Sequence, residues 1–160
     1  MLKPKMTSAG LLIPSRLRRV MLPDTLHTLP QAERFAYAKL LALVTNIDEE
    51  LTIDEMAVFE QRLGTALLSP NQRKEIRNYL KNPPSLESCL AELGHVAGRM
   101  ALRDATLMTA ADGHVDPEER EVLDAIAKHV GLAGDTVDFL LAWVLRGYDW
   151  MQEGLDLLNG

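Results

Sequence analysis

The sequence predicts an all-α protein, a compact bundle of about seven to eight helices built from two pseudo-symmetric repeats. Three observations favour this fold class. No segment alternates apolar and polar residues over the length of a strand, and β-branched residues are sparse. Apolar residues recur at helical spacing from about Gln31 onward. A shift of 64 residues superposes the two halves of the chain without a gap.

Composition narrows the class further. The chain has 160 residues, of which 47% are apolar and 25% charged, as is typical of one globular domain. Its net charge of −6 argues against nucleic acid as the main ligand, because phosphate binding requires a basic surface. No apolar run approaches the ~20 residues of a membrane-spanning helix. We therefore expect a chain without an integral membrane segment and, since no export signal is visible, a cytoplasmic location.

The first 30 residues differ in charge from the rest of the chain. Residues 1–23 contain five basic side chains and no acidic one. The apolar run 9–13 is shorter than the ~7 to 15 residues of a secretory signal and contains Gly10. A transit peptide agrees better with the composition, but no cleavage site is visible. We predict a basic arm over 1–30, flexible or loosely packed and able to fold back on the acidic body, and a helical domain over 31–160.

Helix boundaries follow from apolar spacing and from proline breaks at Pro70, Pro83 and Pro84. The predicted helices are 32–45, 53–67, 71–81, 86–93, 95–111, a helix from Asp116 to Gly131, then 136–145 and 151–158. Segment 136–145 is apolar on nearly every side, which predicts a position at the centre of the core. The aromatic residues near the C-terminus are interpreted as packing of the last helix. Exposure of Trp150 would instead indicate a partner-binding surface.

The repeat consists of a helix, a short acidic turn, a second helix and a third helix, over about 31–94 and 95–158. Identical residues mark the correspondence: Leu43, Thr45, Asp48 and Glu55 match Leu107, Thr109, Asp112 and Glu119. Two such units sharing one core and related by a pseudo-two-fold axis are the expected arrangement.

Helix capping explains part of the acidic turns. Asp116 is a favourable N-cap, Pro117 is suited to the first helical position, and Glu119 lies three residues after the cap. This is the pattern of a capping box, and Thr52 with Glu55 repeats it in the first half.

Asp112 and Asp48 are not explained by capping. Each ends a helix, where an exposed carboxylate opposes the helix dipole at a cost of about 0.3 to 1 kcal/mol. The repeated placement predicts a partner, which is a backbone N–H of the following helix, a bound cation or another protein. Carboxylates from two repeats would suit Ca²⁺, Mg²⁺ or Mn²⁺. A calcium-binding EF-hand loop is not expected, because Met108 and Ala110 occupy its first two ligand positions.

Residues 107–123, which read LMTAADGHVDPEEREVL, resemble the tellurite-resistance TerB-like family. The resemblance implies an all-helical fold of two such units and a bacterial tellurite or stress-resistance context. It also implies a metal site of acidic residues. Carried over by position, the candidate metal ligands are Asp112 and Asp48 first, then Asp116, Glu119 and Glu55.

These observations predict a non-enzymatic domain that binds a divalent cation weakly through its acidic turns. The alternative is a metal-independent adaptor that binds another protein. A metal-assisted hydrolase using Asp112 and Glu119 ranks last, because the sequence has no phosphate-binding loop and no nucleophile motif. A protein partner is expected, and the oligomeric state is left open. The single cysteine, Cys89, is expected in the core.

Overall fold

The structure, a computed structural model, describes residues 25–47 and 51–159. Within these ranges the chain forms seven α-helices and no strand, which confirms the predicted all-α class. A 3₁₀ turn at Thr25–Thr28 comes first. The helices are α1 (Gln31–Val44), α2 (Ile53–Thr65), α3 (Pro70–Tyr79), α4 (Leu86–Ala91), α5 (His95–Thr109), α6 (Pro117–His129) and α7 (Thr136–Asn159).

The helix ends follow from local chemistry. Thr52, Ser69 and Asp116 each begin a helix with a capping box, which satisfies backbone N–H groups that have no partner inside the helix. Gly113 and Gly131 follow α5 and α6 with φ of +86° and +69°. Only glycine adopts this left-handed conformation without a steric cost. Gly131 directly follows Val130, the C-cap of α6, and so ends that helix, whereas α5 ends at Thr109 and Gly113 lies four residues later in the turn.

The 64-residue repeat is visible in the helix boundaries. Shifting α2 by 64 residues gives the bounds of α6, and shifting α1 gives α5 to within one residue. The packing repeats as well: α3 lies against α1 as α7 lies against α5. Helix α4 has no counterpart and packs on α1 and α6. The repeat predicted from the sequence therefore organises the tertiary structure.

The core lies between α1 and α5, which pack against each other at the centre of the bundle. Its largest fully buried side chains are Tyr37, Phe59, Leu26, Leu40, Leu41, Leu63, Ile76, Leu102, Met108, Leu123, Ile126 and Val130. Because Leu26 is among them, the packed body starts before the predicted boundary at residue 31. The part of the predicted arm over residues 1–24 lies outside the described residues. Cys89 is buried as expected, and burial raises the pKa of its thiol to about 11.

The prediction for the C-terminal region is wrong in two respects. Residues 136–159 form one continuous helix rather than two, because a single glycine in a helix costs only about 1 kcal/mol and does not end it. The helix is also not central: within α7 only Val137 and Val144 are buried. Apolar residues on many sides of a helix predict that the helix is buried. Here α7 extends beyond the neighbouring helices that could cover those residues. None of the described helices is both long and apolar enough to cross a membrane.

Candidate functional site

The acidic turn between α5 and α6 is held by its own hydrogen bonds. The Asp112 carboxylate accepts a hydrogen bond of 2.9 Å from the backbone N–H of His114. The His114 ring lies 3.1 Å from the carboxylate of Asp116, and both side chains are exposed. This N–H belongs to the turn and not to the following helix, which the sequence predicts as its source and which begins only at Pro117. The prediction that Asp112 ends a helix is also wrong, because α5 ends at Thr109.

The two glutamates of the predicted ligand set belong to capping boxes. Glu119 accepts a hydrogen bond of 2.9 Å from the backbone N–H of Asp116. Glu55 accepts hydrogen bonds of 2.8 Å from both the backbone N–H and the hydroxyl of Thr52. Both glutamates are buried. Their geometry agrees with the capping interpretation of the sequence.

The remaining predicted ligand, Asp48, lies outside the described residues. Among the residues that the structure does describe, no three His, Cys, Asp or Glu side chains are grouped so that they could hold a metal ion. The five predicted ligands are therefore placed in part: Asp112 and Asp116 lie in the second turn, and Glu119 and Glu55 occupy the same position in the first turns of α6 and α2.

Acidic side chains of both repeats affect the pKa of Tyr148. Its hydroxyl donates a hydrogen bond of 3.0 Å to the carbonyl of Ala110. The pKa of Tyr148 is raised, mainly by burial and further by the carboxylates of Asp54 and Asp112. Asp54 belongs to the first repeat and Asp112 to the second, so carboxylates of both units contribute to raising the pKa of this phenol.

A buried charged cluster joins α1, α2 and α5. Asp104 is fully buried, and its carboxylate accepts a hydrogen bond of 2.6 Å from the Tyr37 hydroxyl. Two nitrogens of Arg103 each donate a hydrogen bond of 2.7 Å to the same carboxylate. Arg62 Nε lies 3.7 Å from Asp104 Oδ1. One carboxylate thus links side chains from three helices.

This cluster is not among the features predicted above, although the repeat contains a pattern that indicates it. The 64-residue shift places Asp104 on Leu40 and Arg62 on Ile126. Both apolar residues are fully buried. Each of these two charged residues therefore stands where the other repeat has an apolar core residue. This substitution pattern predicts a buried ion pair, because a buried charge is tolerated only when it is paired.

The surface of α7 carries the large exposed apolar residues. We define the α7 stripe as Trp143, Gly147, Trp150, Gly154 and Leu157, which recur at intervals of four and three residues along one side of the helix. The exposed fractions are 42% for Trp143, 70% for Trp150 and 84% for Leu157. Exposure of Trp150 is the condition under which the sequence predicted a partner-binding surface.

A groove of about 620 Å³ runs beside the stripe. Trp143, Gly147 and Trp150 form its α7 side, and Gln61 and Arg62 of α2 lie opposite. A Cβ atom built on Gly147 would meet no other atom within 4 Å, so the space in front of this glycine is open. The groove combines apolar walls with a guanidinium, a surface suited to an amphipathic helix.

Comparison of the chain with protein-family models, with curated proteins and with solved structures returns no match. The likeness to the TerB-like family therefore depends on the residues of the second turn alone. The function of the protein is therefore inferred from its fold and from the surfaces described above.

Proposed function

We propose that this protein is a metal-independent protein-interaction module that binds its partner through the α7 stripe and the adjacent groove. One observation carries the proposal. Within the described part of the chain, nine of the thirteen exposed large hydrophobic residues lie on α7. Scattered exposed apolar side chains need no explanation, but their concentration on one helix is typical of a binding surface.

The size of the exposed side chains supports a binding role. An aromatic side chain buries roughly 150 to 250 Å², which at about 25 cal/mol per Å² corresponds to roughly 4 to 6 kcal/mol of hydrophobic free energy. Trp143 and Trp150 are still exposed in the isolated chain, so their burial by a partner would contribute hydrophobic free energy to binding. Tryptophan is also the residue most enriched among those that dominate binding energy.

A second candidate function is weak binding of Ca²⁺, Mg²⁺ or Mn²⁺ by the acidic turns, in the stress-resistance context that the TerB-like resemblance implies. The observation that favours it is that carboxylates from both repeats, Asp54 and Asp112, contribute to raising the pKa of Tyr148. It ranks second because Glu55, Asp112 and Glu119 already accept hydrogen bonds from backbone N–H groups.

Site-specific photo-crosslinking tests the interaction surface. A photoreactive phenylalanine derivative is placed at Trp150 and, as a matched control, at Gln152, which is exposed on the side of the same helix opposite the stripe. We expect covalent adducts from position 150 in living cells and few from position 152, with no effect of a chelator in cell extract. Equal labelling from both positions, or none from position 150, would contradict the proposed surface.

A further inference from the structure

We infer that the occupant of the α7 stripe is a second copy of this chain, whose α7 packs antiparallel against the first. This inference rests on the proposed function, since it names the partner of the same surface. Three features of α7 support it: the seven-residue periodicity of the stripe, the match between its large and small residues, and the placement of two unpaired charges beside it.

The periodicity is that of a helix–helix seam. Trp143, Trp150 and Leu157 recur every seven residues, and Gly147 and Gly154 recur every seven residues between them. Large residues at one seam position and glycines at the other give α7 alternating protrusions and holes. Neither glycine has an atom within 4 Å of the place where a Cβ would lie, so the holes are unfilled within the described chain.

Size complementarity decides the orientation. In an antiparallel pair, residues that face each other have numbers with a constant sum. Placing Trp150 opposite Gly147 of the partner subunit therefore also places Trp143 opposite Gly154 of the partner subunit. Because the contact is two-fold symmetric, each pairing occurs twice. A parallel pair in register would instead set tryptophan against tryptophan and leave the glycine holes empty, which forfeits packing contacts.

Charge complementarity supports the same register. Arg146 and Glu153 both lie on the side of α7 that borders the stripe, one heptad apart. Neither forms an ion pair with any other described residue. The antiparallel register brings Arg146 within about 3 Å along the axis of the level of Glu153 of the partner subunit. Two symmetric ion pairs thus flank the seam.

Sedimentation velocity of the full chain in chelator, over a concentration series, tests the inference. We expect a concentration-dependent rise from the 17.8 kDa monomer toward twice that mass. Gly154→Leu fills a hole and should raise the dissociation constant at least about tenfold. Gly64→Leu is the matched control, because Gly64 is also helical and equally open but lies in α2. Its dimer should dissociate like the wild type.

A charge reversal tests the orientation. Arg146→Glu should weaken the dimer by several-fold, and the double variant Arg146→Glu/Glu153→Arg should restore it, because the antiparallel pairs are re-formed with exchanged signs. A dimer that Gly154→Leu leaves intact, or a double variant weaker than Arg146→Glu, would overturn the proposed register.

The identity of the crosslinked species separates this inference from the proposed function. Adducts from position 150 with the mass of two chains support self-association. A monomer at all concentrations whose position 150 crosslinks to residues 1–24 of its own chain, or to a different protein, would overturn self-association. In the second case the proposed function would stand. Absence of both self-association and crosslinks would overturn both proposals.

Discussion

The third helices of the two repeats, α3 and α7, start at corresponding places but differ in what they bury. Helix α3 has 10 residues, buries Ile76 and ends at Tyr79 shortly before two prolines. Helix α7 has 24 residues and continues far beyond its last buried residue, Val144. Tyr148 still donates a hydrogen bond to the carbonyl of Ala110, but all described residues after Val144 are exposed, so the C-terminal part of α7 adds nothing to the buried core. Its exposed aromatic residues are available for binding.

A second contrast between the repeats lies inside the core. Repeat one has Leu40 where repeat two has Asp104, and repeat two has Ile126 where repeat one has Arg62. Each of these two positions is therefore apolar in one repeat and charged in the other. The charged pair depends on its ion pairing and hydrogen bonds, because an unpaired charge in the interior is strongly destabilising.

The largest effect is expected from replacing Asp104, the buried carboxylate that Tyr37, Arg103 and Arg62 contact. Asp104→Leu leaves Arg62, Arg103 and the Tyr37 hydroxyl without their buried carboxylate and should lower the free energy of unfolding by about 3 to 5 kcal/mol. Urea unfolding followed by circular dichroism measures the change.

The compensated variant is the control for that result. Tyr37→Phe/Arg62→Ile/Asp104→Leu gives positions 62 and 104 the apolar residue types found at the equivalent positions 126 and 40. It should recover most of the lost stability, because buried ion pairs are often replaceable by apolar groups. A triple variant as unstable as Asp104→Leu would show that positions 62 and 104 do not accept the apolar residues of their repeat equivalents.

The next largest effect is expected in a comparison of stability losses between the two third helices, α3 and α7. Ile76→Ala creates a cavity in the core and should cost about 2 to 5 kcal/mol. Trp150→Ala removes a larger side chain but should change monomer stability by less than about 0.5 kcal/mol, because that side chain is exposed. Thermal unfolding at concentrations where the chain is monomeric checks both. A large loss for Trp150→Ala would mean that α7 is covered within the chain.

The smallest effect is expected at the acidic turns. If they act as caps and turns only, Ca²⁺, Mg²⁺ and Mn²⁺ should leave the melting temperature unchanged relative to chelator. A rise in melting temperature that disappears in Asp48→Ala/Asp112→Ala would instead support the second candidate function, because a ligand that binds only the folded state stabilises it. Asp54→Ala serves to test whether both repeats contribute.

Much of the fold was accessible from local sequence signals. Thr52, Ser69 and Asp116 start helices at or within one residue of the predicted positions, because capping depends on side chains within four residues of the helix end. Gly131 ends α6 as predicted, whereas Gly113 has the positive φ of such a residue but lies four residues beyond the end of α5. The 64-residue repeat correctly related α1 to α5 and α2 to α6.

The candidate surface was accessible only in part. Trp143 and Trp150 were recognised as an aromatic region, but their exposure depends on whether another helix covers α7, which no local pattern records. The buried Asp104 was missed for the same reason, since its partners Tyr37 and Arg62 are 67 and 42 positions away in the chain.

The helices, their caps and the two-fold repetition follow from local sequence, because these depend on periodicity and on neighbours a few residues apart. Which apolar face is buried and which carboxylate is enclosed depend on the tertiary packing. Both outcomes depend on how far each helix extends past its neighbours, and that is a property of the assembled bundle. The α7 stripe is the clearest case: an apolar pattern that predicts burial is left open where the bundle ends.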